Sequence, residues 1–194
     1  MHAEGSLQTT LGGSAERPVP AAFRIFDGTT EVGAETRLQI RKSGTADEGT
    51  GPILDGPWLK AELAPGIYDV QALHQRSGRV VNVRWAERLV IVRYPDEGDE
   101  HLEVINFVPN YGALQIRLPP NTKPDPAMVA VQPAGGVDAA RVKVHVGTDY
   151  LLVIAPAGTY TVTVTLPAGA TTLSGIEVPG DRTRLRVIDA GGRR

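Results

Sequence analysis

Chemistry on a chain without cysteine has to come from histidine, carboxylate or hydroxyl groups, and the strongest donors here are His2, His74, His101 and His145. No two of them form a His-x-His or His-x-x-x-His pair. A zinc site would therefore have to assemble from distant segments, and the plainer reading is four scattered strand or surface histidines. The lack of cysteine also excludes disulfides, thiolate ligands and thiol nucleophiles. Serines and aspartates are plentiful, yet no Gly-x-Ser-x-Gly elbow, phosphate-cradling Gly-x-x-x-x-Gly-Lys-Ser/Thr loop or Gly-x-Gly-x-x-Gly turn occurs. The sequence thus predicts no catalytic, cofactor-binding or metal-binding residue and no enzyme. A metal-dependent enzyme built from dispersed His and Asp is the remotest of three functional readings.

Three other clusters could bind without reacting. The run "PDEGDEHLE" gathers Asp96, Glu97, Asp99, Glu100 and Glu103, oxygen ligands of the kind calcium prefers, but without EF-hand spacing. Its simpler reading is a solvated hairpin tip. The ladder "DRTRLRV" sets Arg182, Arg184 and Arg186 on one face of a last strand, where they could meet an acidic surface or a glycan. The same charges could simply block edge-to-edge pairing. The third cluster is Trp58, predicted to face outward with Lys60 and Glu62, where an indole can stack on a sugar ring or anchor a partner. The alternative is that a neighbouring domain or the "GTGPIL" loop covers it. Trp85 is expected in the core, in phase with Val81 and Val83.

Composition narrows the class. A net charge of −2 over 194 residues argues against a nucleic-acid partner. No apolar run approaches the roughly 20 residues of a membrane helix. The opening residues "MHAEGSLQTTLGGSAERPVP" lack the basic start and apolar core of a signal peptide and read as a flexible leader.

The elements that would position these groups are strands. In "TYTVTVTL", Tyr160, Val162, Val164 and Leu166 alternate with threonines, and in "YDVQA", Tyr68, Val70 and Ala72 alternate with Asp69 and Gln71. Similar punctuation, "LAPG" and "IAPAG", precedes each. Leu63 and Ile154 stand 91 apart and Tyr68 and Tyr160 stand 92 apart, which places one inserted residue in the second turn. An offset of 91 lays Phe23 and Ile25 on Leu114 and Ile116, Leu38 and Ile40 on Val129 and Val131, and Leu59 and Ala61 on Tyr150 and Leu152. With the inward phase preserved, the pattern predicts an internal duplication. Strands are expected near 21–26, 36–41, 57–63, 67–74, 79–85, 88–94 and 101–107. In the second copy they fall near 112–118, 127–132, 141–146, 149–154, 159–166, 171–178 and 182–188. The strand "DYLLVIAP" is apolar on both faces, so it is either covered twice or part of an interdomain contact.

The stretch "IFDGTTEVGAETRLQI" resembles the opening of carboxypeptidase-regulatory-like domains, with its Asp-Gly turn and Gly-Ala pair between two strands. "LAPGIYDVQA" and "IAPAGTYTVTV" are similar to that family's later turn into a Tyr-bearing strand, and PEGA repeats carry a comparable turn. The second copy opens with "RLPPNTKPDPAMVAV" and lacks both pairs. The resemblance implies seven-stranded transthyretin-like sandwiches, usually non-catalytic, appended to larger proteins as spacers or docking surfaces. The expectation is an all-β chain of two tandem antiparallel β-sandwich domains (transthyretin/Ig-like). It comprises a leader over 1–19, domains over 20–108 and 109–190, and a tail over 191–194. It would serve as an extracytoplasmic interaction or spacer module with a protein or glycan partner. The alternative is a carbohydrate-binding module using Trp58.

Overall fold

A computed structural model describes residues 17–46, 49–92, 100–135, 138–180 and 185–190, of which 185–189 by their backbone only. The chain is all-β. Its first half holds β1 (Val19–Asp27), β2 (Thr30–Glu31), β3 (Thr36–Lys42), β4 (Ile53–Asp55), β5 (Trp58–Leu63), β6 (Gly66–Arg76), β7 (Arg79–Ile91) and β8 (His101–Asn106). The second half holds β9 (Tyr111–Arg117), β10 (Val129–Pro133), β11 (Lys143–Val146), β12 (Tyr150–Pro156), β13 (Gly158–Leu166), β14 (Gly169–Val178) and β15 (Leu185–Asp189). Val19, expected in the leader, opens β1 and is buried.

Four sheets result: β2-β1-β5-β4 with β8 beside β1, β3-β6-β7, β11-β12-β9-β15, and β10-β13-β14. Most neighbours are antiparallel. Within this antiparallel arrangement β8 runs parallel to β1 and β15 parallel to β9. Side-chain alternation reports that a segment is a strand but not its direction, which the crossover sets. The first two sheets close on one core that includes Phe23, Ile25, Leu59, Val70 and Ile91. The other two close on a second core that includes Leu114, Ile116, Val153, Tyr160 and Val162.

A third apolar cluster joins the halves: Phe26 and Val104 from the first pack against Tyr111, Ala113, Tyr150, Leu152 and Ile154. This corrects the phase expected for β12. Leu151, Val153 and Ala155 enter the second core, whereas Tyr150, Leu152 and Ile154 face the joint. The alignment of Leu59 and Ala61 with Tyr150 and Leu152 is therefore one residue out of phase. A strand apolar on both sides carries no phase in its sequence, and here every residue of β12 is buried.

The residues 79–85 and 88–94 were expected as two strands. Instead β7 runs unbroken from Arg79 to Ile91, with two irregularities against β6. At one of them Arg88 takes a left-handed φ of 57° and its N–H donates to Asp69 Oδ1 at 3.0 Å. Such a bulge shifts which residues meet the core. Ala86, Leu89 and Ile91 are buried there. Strands β10 and β11 start about two residues later than expected. Short 3-10 turns capped by Asp125 and Asp138 occupy Pro126–Met128 and Ala139–Arg141.

The two tyrosine strands behave alike. Tyr68 Oη donates to Ala64 O and Tyr160 Oη to Pro156 O, both at 2.7 Å. Each hydroxyl thereby ties the start of its strand to the end of the preceding one, across the turn that carries the Ala-Pro punctuation.

Candidate interaction surfaces

Alternation along β5 buries Leu59 and Leu63 and turns Trp58, Lys60 and Glu62 to the other side. That side is not open at Trp58. The indole is half-buried, with the Arg24 guanidinium carbon 5.3 Å and Lys60 Nζ 5.4 Å from its ring centroid. Lys60 is itself held by Glu100 at 3.0 Å and Asp55 at 3.2 Å. Its ammonium titrates above the ordinary lysine value, chiefly through the hydrogen bond it donates to Glu100 and then that to Asp55. Glu62 is exposed and lines an open cleft of about 480 Å³ with Arg41, Lys42, Thr50 and Tyr68. The cleft carries both charge signs and no reactive pairing.

Behind Trp58 lies a buried polar centre that sequence reasoning missed. Arg24 is 1% exposed, yet it donates Nε to Glu31 Oε1 and Nη2 to Glu31 Oε2, both at 2.8 Å, and Nη1 to Val146 O at 3.1 Å. Its guanidinium also lies 5.7 Å from the Phe26 ring and 6.0 Å from the Tyr150 ring. Burial would lower its pKa, but the hydrogen bonds and charge of Glu31 hold it above the ordinary arginine value. On the same side His145 stacks edge-on against Phe26 at 5.0 Å, with Nε2 3.0 Å from Thr29 O and Nδ1 3.8 Å from Glu31 Oε2. Burial lowers the His145 pKa, and the charges of Arg24 and Lys143 add to this against the pull of Glu31. These contacts bind β1 and β2 to β11 and β12, so the centre is a joint between the halves rather than a reaction site. Alternation along β1 left Arg24 on the solvent side of a half-buried strand, and only a second covering layer removes it from water.

The open aromatic is Trp85, not Trp58, which corrects the core placement. Trp85 pairs with Gln71 and Val83 with Leu73, on the side of β6 opposite Val70 and Ala72. Val81, Val83 and Trp85 are each about half exposed, at 54%, 48% and 47%. Arg41 reaches over the Trp85 ring at 5.7 Å. The sequence carried one signal for this placement, the spacing of Ala86, Leu89 and Ile91, which cannot share one uninterrupted phase.

The remaining candidates resolve differently. Glu103, expected in a solvated tip, is buried on β8 with His101 Nε2 2.9 Å from its Oε1. Strands β7 and β8 lie in different sheets, so no hairpin joins them. Asp96, Glu97 and Asp99 lie outside the described residues, as do His2, Arg182 and Arg184. Arg186 sits on β15 opposite Leu114, known by its backbone only. His74 is buried, stacked on Phe107 at 5.5 Å, with Nε2 3.3 Å from Glu35 Oε2. Among the described residues no group of three or more His, Asp or Glu could hold a metal ion, and no helix is long and apolar enough to cross a membrane.

Neither a protein-family model nor a curated protein matches the chain. Solved structures that resemble it include the TIE protein of Bacillus anthracis, at 16% identity over 90% of this chain and 34% of that one, with a TM-score of 0.29. An adhesin candidate from Bacteroides ovatus matches at 11% identity over 97% and 98% of the two chains, with a TM-score of 0.31. The minor pilin GBS52 of Streptococcus agalactiae matches at 10% over 88% and 94%, with a TM-score of 0.27. The chain spans about a third of the length of the TIE protein. Scores this low define no shared topology, so function has to be sought in the chain's own residues.

Proposed function

We infer that the chain is a non-catalytic pair of tandem β-sandwich domains, similar to carboxypeptidase-regulatory-like modules. It would serve as an interaction or spacer unit of a bacterial envelope, surface or secreted protein. The boundary falls near Val108 to Gly112, between the two cores, and the matching tyrosine corners support an internal duplication. One observation carries the interaction reading. Among the described residues exposed apolar side chains occur at several places, but Val83 and Trp85, with Val80 and Val81 at the irregularity beside them, gather on one sheet face, the pattern of a contact surface.

The test is site-specific photo-crosslinking in the cell that produces the chain, with benzoylphenylalanine at Trp85 and, for comparison, at Thr163 on the other sandwich. A discrete adduct from position 85 alone is expected. No adduct from position 85, or the same adducts from both positions, would remove the reading. A carbohydrate-binding module with Trp58 as its platform finds less support, because Arg24 and Lys60 already occupy the surroundings of that ring. Glycan-array binding lost on Trp58→Ala but kept on Trp85→Ala would reinstate it.

A further inference from the structure

We propose that the outer face of the β3-β6-β7 sheet binds an acidic polysaccharide, with Trp85 as the stacking plate and Arg37 and Arg41 as the carboxylate-recognising groups. The proposal rests on the interaction reading above and names its ligand class. The sheet register sets the site: Arg37, Leu73 and Val83 form one cross-strand row, and Gln71 and Trp85 meet in the next. Arg41 and Asp69 pair in the row after that. Cross-strand partners share a side, so the two arginines flank the indole on one surface, four residues apart along β3, or roughly 13 Å at strand rise. Arg37 and Arg41 are both exposed.

Around Trp85 two guanidinium groups, Arg37 and Arg41, stand against one central carboxylate, Asp69, which stays ionised. That carboxylate is already engaged: Ser43 Oγ donates to Oδ1 at 2.8 Å and Arg88 N–H to the same oxygen at 3.0 Å. Those bonds, the Arg88 backbone first, hold Asp69 below the ordinary carboxylate range. The other acid, Glu87, stands at the border beside the bulge. An incoming carboxylate therefore meets guanidinium groups suited to two-point recognition. Arg41 lies over the Trp85 ring at 5.7 Å, so a pyranose ring would stack on the part of the half-exposed indole that Arg41 leaves open, with the Gln71 amide beside it as a hydrogen-bonding group.

A peptide adding as a new strand fits less well. Within the described residues β7 pairs with β6 alone, but its ladder is irregular near both ends. The Val83 N–H is capped by Asn82 Oδ1 at 2.9 Å. Bulges and capped donors are features that discourage strand addition. What is offered is a surface of side chains, not a row of free backbone groups.

The test uses affinity electrophoresis and calorimetry of the full chain with polygalacturonate, neutral dextran and poly-L-glutamate as probes. Polygalacturonate is expected to bind, dextran not to bind, and poly-L-glutamate to bind at least about tenfold more weakly. Trp85→Ala and the Arg37→Gln/Arg41→Gln pair are each expected to weaken polygalacturonate binding about tenfold or more. Unchanged thermal unfolding would show that these exposed positions leave the fold intact. No polygalacturonate binding, equal binding of poly-L-glutamate, or binding indifferent to Trp85→Ala overturns the proposal. A position-85 photo-adduct to a protein, with no polygalacturonate bound, would sink the glycan assignment and leave the interaction reading standing.

Discussion

Arg24 and Glu31 meet through two parallel contacts of 2.8 Å each, with the arginine out of water and its third donor on a carbonyl of the other half. A buried charge costs most when its partner is lost, and far less when both partners are replaced by apolar groups. Arg24→Ala should therefore cost about 3–5 kcal/mol in urea unfolding, by stranding Glu31 and opening the joint. The double change Arg24→Met/Glu31→Leu should recover most of that loss. Equal instability of the single and double variants would show that the pair is not what stabilises the joint.

Acid should weaken this joint through His145. Its native pKa is depressed by burial, so the unfolded chain takes up the proton first as pH falls. The stabilising contribution is full above the unfolded value of about 6.5 and declines as pH drops from there toward the lower native value. Asp69, whose native pKa is also lowered, keeps its contribution until pH falls below about 3.8. The window between pH 7 and 5 thus separates the two. Denaturant midpoints should fall with pH in that window for the native chain and fall less for His145→Gln. Parallel slopes would count against it.

The two tyrosine corners should differ in cost. Pro156, the acceptor of Tyr160, is buried, whereas Ala64, the acceptor of Tyr68, is exposed and can turn to water. Removing a hydroxyl whose buried acceptor is left unpaired costs about 1–3 kcal/mol, and a water-compensated loss costs about 1 or less. Tyr160→Phe is accordingly expected to destabilise the chain more than Tyr68→Phe in matched urea titrations.

The tryptophans offer a direct optical check. With Trp58→Phe the remaining Trp85 should emit at long wavelength and be strongly quenched by acrylamide. With Trp85→Phe the remaining Trp58 should emit at shorter wavelength and be quenched weakly. The reverse pattern would return Trp85 to the core.

What could be read from sequence follows a physical boundary. Where a strand is wet on one side, alternation fixes its phase, and Phe23, Ile25, Tyr68, Val70, Tyr160 and Val162 all lie in the cores. Where both sides are covered, as along Tyr150 to Pro156, the pattern is silent about phase. Where the ladder carries a bulge, as beside Arg88, a phase carried across it is wrong on one side. Trp85 and Trp58 exchanged surroundings for these two reasons: a bulge turned one outward, and an unforeseen layer over Arg24 enclosed the other. The face around Trp85 was thus hidden by an error of one residue rather than by any lack of signal in its composition.

The third apolar cluster constrains how the chain could be cut or recombined. Tyr150, Leu152 and Ile154 are as apolar toward the joint as Leu151 and Val153 are toward their own core. A fragment beginning after Val108 would carry a sticky flank formed by these side chains with Tyr111 and Ala113. Such a half is not a portable cassette: shuffled alone into another protein, it would need a new cover or would self-associate. Expressed apart, the halves should therefore be less soluble than the whole chain.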